Sequence, residues 1–163
     1  QPNILRAFYG QLDSLELPPA VFQIEATLDD ASPQLLGHFI NKALAGGALE
    51  SYLTPVVMKK NRLGTKLTIL AEADKMEGLI EAVFKETTTI GLRYFPVARR
   101  VLQREITEIR LGTQKIRIKL AYLGQERVNV QPEYEDCQRA AEALKVPLKK
   151  VIGLALEKFK ERG

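Results

Sequence analysis

The periodicity of apolar residues changes early in the chain, and this change is the strongest constraint on its fold. Residues 20–29 alternate between apolar and polar side chains, which predicts a strand with one buried face. Ser32 and Pro33 then open a predicted helix, whose apolar residues recur at helical spacing until the pair Gly46 and Gly47 ends it. The chain therefore begins with a strand followed by an amphipathic helix.

A second round of the same pattern follows. The predicted elements are a strand at 48–58, a strand at 66–71, a second helix and a strand at 87–95. Pro55 marks an edge or a bulge in the first of these strands. Asp74 is the predicted cap of the second helix, with Glu77 in the position of a capping box. The resulting order, β-α-β-β-α-β, is that of the ferredoxin-like split βαβ unit.

The rest of the chain has a different organisation. Residues 97–131 predict a β-meander with turns at Gly112 and near Gly124, and Pro132 and Pro147 open two helices, at 133–144 and 147–161. The fold class is therefore α+β, a ferredoxin-like unit followed by a meander and two C-terminal helices. The predicted subdomains are 1–96, with a lead-in segment at 1–19, and 97–163.

The sequence also predicts the context in which this chain works. Because the sequence begins with Gln rather than Met, we expect it to be a piece of a longer protein. The apolar face of the last helix and the edge strand around Pro55 predict a homo-oligomer of undetermined size. A single cysteine suits a reducing, cytoplasmic location, and no apolar run reaches the roughly 20 residues of a membrane helix.

Positive charge is concentrated in the middle of the chain. Residues 93–127 contain nine basic and three acidic side chains, whereas residues 1–92 contain eight basic and eleven acidic ones. This distribution suits a small polyanion bound together with a cation better than a long nucleic acid, which favours a broader basic face.

Three carboxylates are candidate ligands of a divalent metal. Alternation along the first strand places Glu25 and Asp29 on its polar face, and Asp30 follows at the turn. Several oxygen ligands at a strand end are what Mg²⁺ or Mn²⁺ requires. The alternative is that Asp29 and Asp30 are ordinary turn residues, and the spacing alone does not choose between the two.

Candidate ligands of an anion lie in two further segments. A turn between strands carries Lys59, Lys60 and Arg62, three cations within four residues, and its alternative reading is a solvated hairpin tip. A hydroxyl-rich run ends in an arginine, and is equally typical of a plain strand: Thr87, Thr88, Thr89, Arg93. The cationic series continues along the chain with Arg99, Arg100, Arg104 and Lys119.

Other common sites are missing from the sequence. It has neither a Walker-type loop nor a G-x-G-x-x-G turn, and His38 and Cys137 are the single residues of their kinds. We assign packing or surface roles to both. No residue can be named from the sequence as the group that attacks a phosphate.

Four segments together resemble the C-terminal domain of the LarC family of nickel insertion proteins. They are E-A-T-L-D-D at 25–30, G-G-A-L-E-S-Y-L-T-P-V-V-M-K-K-N-R-L-G at 46–64, E-T-T-T-I-G-L-R at 86–93 and P-E-Y-E-D at 132–136. The resemblance covers about residues 20–150. It implies a CTP-dependent cyclometallase, of the lyase class, that completes the nickel-pincer nucleotide cofactor of lactate racemase.

The resemblance implies a substrate and a set of ligands. The family inserts nickel into pyridinium-3,5-bisthiocarboxylic acid mononucleotide, consuming CTP with Mn²⁺ or Mg²⁺, and its C-terminal domain is the part associated with CTP. By this resemblance Asp29 and Asp30 face the metal. Selecting cytosine requires hydrogen bonds to its exocyclic amine and carbonyl, which we assign either to backbone groups or to a carboxylate such as Glu133. The candidates for the triphosphate are Lys59, Lys60, Arg62, Arg93, Arg99, Arg100, Arg104 and Lys119, with Thr87–Thr89 lining the site.

Two other functions are compatible with the fold. The first is a ferredoxin-like regulatory or assembly module that binds a small ligand without catalysis. The second, an RNA-binding domain, is disfavoured because the strands lack the aromatic R-G-F-x-F pattern that stacks bases. We expect this chain to bind CTP, either with or without hydrolysing it. We do not expect it to insert nickel by itself, because it has one Cys and one His as soft ligands.

Overall fold

A computed structural model describes residues 21–161, which fall into two compact units divided between Arg99 and Arg100. The first unit contains four strands and two α-helices in the predicted order. They are β1 (Val21–Leu28), α1 (Pro33–Ala45), β2 (Glu50–Val57), β3 (Leu63–Glu72), α2 (Ala73–Glu86) and β4 (Arg93–Val97), with a short 3₁₀ turn at Lys59–Asn61.

The four strands form one antiparallel sheet in the order β2-β3-β1-β4. Alternate residues of β1 and β3 point toward α1 and α2, and their core includes Ile24, Leu67 and Ile69 together with Phe39 and Val83 of the helices. The opposite face carries the polar residues of β1. This alternation is the one that the sequence predicts for residues 20–29.

The two outer strands of this sheet each contain a proline. Pro55 lies in β2 and Pro96 lies in β4, and within residues 21–161 each of these strands has one hydrogen-bonded neighbour. The edge position predicted for Pro55 is therefore correct. A proline has no backbone N–H to donate, and an edge strand tolerates this on the side where it has no neighbour.

The N-terminal cap of α1 is also as predicted. The Ser32 hydroxyl accepts a hydrogen bond from the Leu35 amide at 3.2 Å, and Pro33 is the first helical residue.

Two local predictions in this unit are wrong. The strand expected at Thr87–Phe95 begins only at Arg93, because the Thr87 hydroxyl donates to the Val83 carbonyl at 2.7 Å and the Thr89 hydroxyl donates to the Gly91 carbonyl at 2.7 Å. These bonds hold a loop in place of a ladder. The capping box at Asp74 is absent, since the helix follows β3 directly and Glu72 occupies its cap position without a side-chain bond.

The second unit is a three-stranded meander covered by two helices. Its elements are β5 (Gln103–Leu111), β6 (Gln114–Leu123), β7 (Glu126–Pro132), α3 (Tyr134–Leu144) and α4 (Leu148–Lys160). The predicted turns occur at Gly112 and Gly124, which have φ of +59° and +62°. The apolar face of α4 packs internally, where Val151 and Ala155 are fully buried with Ile109 and Ile118.

A buried carboxylate joins α3 to β6. Asp136 is 2% exposed and accepts hydrogen bonds from the backbone amide of Arg117 at 3.0 Å and from its Nε at 2.7 Å and Nη2 at 3.0 Å. Arg139 donates a further bond at 2.9 Å. Asp136 thus provides a hydrogen-bond acceptor for a backbone amide of β6, beside the position where β7 ends.

No helix among residues 21–161 combines the length and the apolar character needed to cross a membrane.

Candidate functional site

The predicted ligand residues of the first unit lie at one end of its sheet, except Arg99, which follows the opposite end of β4. Because β3 and β4 run antiparallel to β1, their first residues lie beside the last residues of β1: Leu28 is opposite Thr65, and Glu25 is opposite Arg93. The end of β1, the 3₁₀ turn and the loop before β4 therefore meet here. We call Glu25, Asp29, Asp30, Lys59, Lys60, Arg62, Thr88 and Arg93 the strand-end site.

Glu25 is the buried member of the strand-end site. It is 6% exposed, and its Oε1 accepts from Lys66 Nζ at 3.0 Å and from Gln23 Nε2 at 2.8 Å. Its Oε2 accepts from Arg93 Nε at 2.8 Å and lies 2.7 Å from Nη2. The bond from Lys66 is the largest cause that lowers the pKa of Glu25, with further contributions from Arg93 and Gln23, and together they outweigh burial.

Both oxygens of Glu25 are therefore occupied by nitrogen donors. Its role as a metal ligand stays a prediction, and a cation at this carboxylate would have to displace one of these donors. Lys66 and Gln23 were not among the sequence-predicted residues. Gln23 follows the period of β1, whereas Lys66 is brought in by the register of β3, which places it opposite Thr27.

Asp29 pairs with the turn that follows β2. Its Oδ2 accepts from Arg62 Nη1 at 2.9 Å, and this guanidinium, with the charge of Lys59 as a smaller cause, holds the pKa of Asp29 below its ordinary value. The turn is closed by a bond from the Met58 amide to the Arg62 carbonyl at 2.8 Å. Lys60 and Asn61 adopt φ of 63° and 57°, a left-handed conformation that is uncommon for residues other than glycine.

Asp30 pairs with the loop that precedes β4. The Thr88 hydroxyl donates to its Oδ1 at 2.5 Å. The Thr87 hydroxyl donates to a carbonyl in the last turn of α2 and the Thr89 hydroxyl to one in the loop, so Thr88 is the only one of the three that bonds to a predicted metal ligand. Asp29 and Asp30 are thus each bonded to a candidate anion ligand, Arg62 and Thr88 respectively.

A small cleft opens at this end of the sheet. It has a volume of about 160 Å³ and is lined by Leu28, Asp29, Ala31, Leu63, Gly64 and Thr65. Gly64 is essential to its shape, because a Cβ atom there would lie 2.5 Å from the Met58 Sδ and 2.8 Å from the Leu28 carbonyl oxygen.

Replacing Gly64 with alanine is expected to lower the free energy of unfolding of the first unit by about 1–3 kcal/mol, because the backbone of Leu28 cannot move aside cheaply. Gly78, inside α2, is the matched control, since a Cβ there meets nothing within 4 Å and alanine should stabilise the helix by about 0.5–1 kcal/mol. Urea unfolding of both variants measures the two changes. Equal stabilities for the two variants would contradict this packing argument.

The remaining predicted residues are exposed or belong to the second unit. Arg99 follows β4 and is exposed, and Arg100 is exposed at the start of the second unit. In that unit Arg104 lines a cleft of about 360 Å³ with Gln103, Glu105 and Tyr122. Lys119 and Glu133 form an ion pair with each other at 2.8 Å. The functional roles of these residues stay predictions.

The chemistry of the strand-end site suits a hard cation that arrives with its own oxygen ligands. Asp29 and Asp30 offer carboxylate oxygens, and among residues 21–161 no three His, Cys, Asp or Glu side chains converge into a metal cage. Mg²⁺ is commonly held by one or two carboxylates plus the phosphates of a nucleotide and water. The two aspartates therefore fit a metal–nucleotide complex.

Cys137 and His38, the single residues of their kinds in the sequence, do not form a metal site together. Cys137 is fully buried in the core of the second unit, and burial raises the pKa of its thiol. His38 is exposed on α1 in the first unit. The packing and surface roles predicted for these two residues agree with their positions.

Comparison with known proteins gives consistent matches. A family profile described as nickel insertion protein matches residues 1–152. A putative nickel insertion protein of Myxococcus xanthus is 42% identical over 156 residues, which are 96% of this chain and 40% of that protein. A pyridinium-3,5-bisthiocarboxylic acid mononucleotide nickel insertion protein of Acetivibrio thermocellus is 38% identical over 165 residues, 99% of this chain and 40% of that protein. The chain thus spans about 40% of the length of these relatives.

Solved structures give matches of two kinds. One is described as LarC2, the C-terminal domain of a cyclometallase involved in the synthesis of the NPN cofactor of lactate racemase, in its apo form. It has a TM-score of 0.81 and 35% identity, and the match covers 86% of this chain and 97% of that one. A protein of Methanopyrus kandleri, with a TM-score of 0.58 and 24% identity over 83% of this chain and 84% of that one, shares the fold alone.

Proposed function

Since the chain belongs to the nickel insertion protein family, we propose that it is the CTP- and metal-binding part of a CTP-dependent nickel insertase. The resemblance inferred from the sequence motifs is confirmed by the family profile and by these relatives. In this proposal the full-length protein inserts nickel into pyridinium-3,5-bisthiocarboxylic acid mononucleotide, the compound named for the Acetivibrio thermocellus relative.

The observation that carries the proposal is the bonding of two carboxylates to candidate phosphate ligands at the strand-end site. A nucleoside triphosphate needs both a divalent cation and several guanidinium or ammonium groups. Asp29 supplies a carboxylate 2.9 Å from Arg62, and Asp30 supplies another, bonded to Thr88. When a metal–nucleotide complex binds, the carboxylates can turn to the cation while the released donors turn to phosphate oxygens.

The residues of the strand-end site divide by chemistry in this proposal. Asp29 and Asp30 hold Mn²⁺ or Mg²⁺, which neutralises phosphate charge when bound. Lys59, Lys60, Arg62 and Arg93 bind phosphate oxygens. Arg99, Arg100, Arg104, Lys119 and Glu133 remain further candidates for the nucleotide.

Nickel is a substrate in this proposal, and this chain alone does not insert it. Nickel is favoured by thiolate and imidazole ligands. The two candidates of this kind, Cys137 and His38, lie in different units, and the thiol is fully buried. We expect a purified sample of this chain to bind CTP yet produce no nickel-pincer cofactor from the precursor mononucleotide. Cofactor formation by this chain alone, followed by its absorbance, would contradict this part of the proposal.

Calorimetric titration tests the nucleotide assignment. CTP, ATP, GTP and UTP are each titrated into the chain with and without Mn²⁺, and we expect binding that is selective for CTP and depends on the metal. Binding of an unrelated metabolite instead would favour a regulatory module. Salt-sensitive binding of RNA without nucleotide selectivity would favour the RNA-binding alternative.

A further inference from the structure

The side chains that donate hydrogen bonds to Glu25 form a cluster with it, on the face of the sheet opposite α1 and α2. Glu25, Lys66, Arg93 and Gln23 belong to neighbouring positions of β3, β1 and β4. The carboxylate is the buried element, with 8% of its side chain exposed, whereas the side chains of Lys66 and Arg93 are 28% and 61% exposed. A ligand approaching this face therefore meets the two cations and not the carboxylate.

The guanidinium of Arg93 is held by one edge only. Its Nε and Nη2 contact Glu25 Oε2, and within residues 21–161 its Nη1 has no hydrogen-bond or ion-pair partner. A guanidinium has five N–H groups in a fixed fork, so an anion can bind the second edge without displacing the first. The net charge of Glu25, Lys66 and Arg93 together is +1.

A polar atom beside these residues also lacks a partner among residues 21–161. Thr68 is directly opposite Glu25 in the register of β1 and β3, it is 1% exposed, and its hydroxyl makes no hydrogen bond to this part of the chain. Buried polar groups are normally satisfied, and exceptions occur where function leaves a group unpaired.

The cluster is connected to the carboxylates of the strand-end site. Thr88 bonds to Asp30, and Arg93, five residues later, bonds to Glu25. The segment 88–93 is therefore fixed at both ends. Its first residue bonds to Asp30, just after β1, and its last residue bonds to Glu25 within β1. Asp29, the other candidate metal ligand, is four residues beyond Glu25, about 13 Å along an extended chain.

We propose that Glu25 is a positioning residue, which fixes Arg93 and Lys66 as a preformed clamp for a phosphate group of the nucleotide. Lys66, absent from the residues predicted by sequence, thereby joins the anion-binding set. This inference rests on the function proposed above and names how that site recognises its anion. Fixing both side chains before the ligand arrives reduces the conformational entropy that binding would otherwise cost.

The change Glu25→Gln separates positioning from charge, because the two effects have opposite signs. Removing a negative charge raises the local positive potential and by itself should tighten the binding of an anion. Losing the charge-assisted bonds leaves Arg93 and Lys66 free to move and should weaken binding. We expect the Kd for CTP with Mn²⁺, and for inorganic tripolyphosphate, to rise roughly 10-fold, a loss equivalent to one charge-assisted hydrogen bond.

The matched control is Asp136→Asn, which removes another buried carboxylate paired with two cations, in the other unit. Measured at low temperature, where the variants remain folded, it should leave both Kd values unchanged. Glu25→Asp is the second variant, since it keeps the charge but shortens the reach, and it too should weaken binding. The NMR signal of the Arg93 Nε–H should exchange slowly with water in the unchanged protein and rapidly in Glu25→Gln.

The outcomes separate the clamp from the nucleotide assignment. Selective CTP binding that is unchanged or tighter in folded Glu25→Gln and Glu25→Asp overturns the clamp and leaves the proposed function standing. Tripolyphosphate binding that weakens in both variants, without any preference for CTP, supports the clamp and contradicts the nucleotide assignment. Absence of binding by either probe to the unchanged protein overturns both.

Discussion

Replacing Asp136 with asparagine is expected to lower the free energy of unfolding of the second unit by about 3 kcal/mol. Removing one partner of a buried ion pair leaves the others uncompensated, and Asp136 accepts four hydrogen bonds from Arg117 and Arg139. An asparagine keeps one acceptor oxygen but presents an NH₂ group where a guanidinium already donates. Urea unfolding followed by circular dichroism measures the change.

The same substitution should alter how stability depends on pH. The bonds from Arg117, together with Arg139, hold the pKa of the Asp136 carboxyl far below its usual range in the folded protein. Because the folded pKa lies below the unfolded one, the stabilisation is complete above about pH 5 and is lost as the pH falls toward the folded pKa. The unfolding free energy of Asp136→Asn should therefore fall less steeply between pH 5 and pH 3.

Glu135→Gln is the control for this pair of measurements. Glu135 is the exposed neighbour of Asp136 in the first turn of α3, and its replacement removes the same charge without disturbing a buried ion pair. We expect a cost of about 0.3–1 kcal/mol, from the helix dipole and the weak attraction between Glu135 and Arg117. If the two variants had equal stabilities and equal pH profiles, the ion pair between α3 and β6 would contribute nothing to folding.

Changing both Lys59 and Lys60 to alanine is expected to raise the Kd for CTP with Mn²⁺ by roughly 100-fold. Each lysine is proposed to bind a phosphate oxygen, and a charge-assisted hydrogen bond contributes about 1.5 kcal/mol or more. Both side chains are exposed in the turn next to Asp29, so their removal should leave the melting temperature nearly unchanged. Calorimetric titration gives the Kd, and thermal unfolding checks the fold.

The matched control is the double change of Lys149 and Lys150 to alanine. These lysines are also adjacent and exposed, they lie on α4 in the second unit, and their removal changes the net charge by the same amount. We expect a change in Kd of less than about twofold, from the net charge alone. Equal losses in the two double variants would mean that the turn does not bind the triphosphate.

The order of strands and helices could be predicted because each element has its own period. Gly112 and Gly124 reach positive φ, so the positions of the meander turns follow from residue type as well. Thr87–Leu92 could not be predicted as a loop, since threonine is typical of strands and the loop is held by bonds made only in the folded protein, from Thr87 to the end of α2 and from Thr89 to Gly91. Asp74 failed as a cap because β3 extends to Glu72 and leaves no separate capping turn.

The candidate site could be predicted in parts but not as pairs. Alternation places Glu25 and Asp29 on the polar face of the first strand. The cationic turn is also predicted by the sequence, because three basic residues fall within positions 59–62. Which cation meets which carboxylate depends on the register of β3 and β4 against β1, since a shift by one residue would turn Arg93 and Lys66 to the other face. The contacts of Glu25 therefore emerge only from the folded sheet.

The prolines of the two outer strands limit how this protein can associate with itself. An exposed strand edge is a template on which another chain can add its own backbone, and this is how many sheets grow into fibres. Pro55 and Pro96 each remove an amide N–H and so interrupt any continuous ladder along β2 or β4. A second chain that paired with either edge would therefore lose a hydrogen bond at the proline, which disfavours open-ended growth of the sheet.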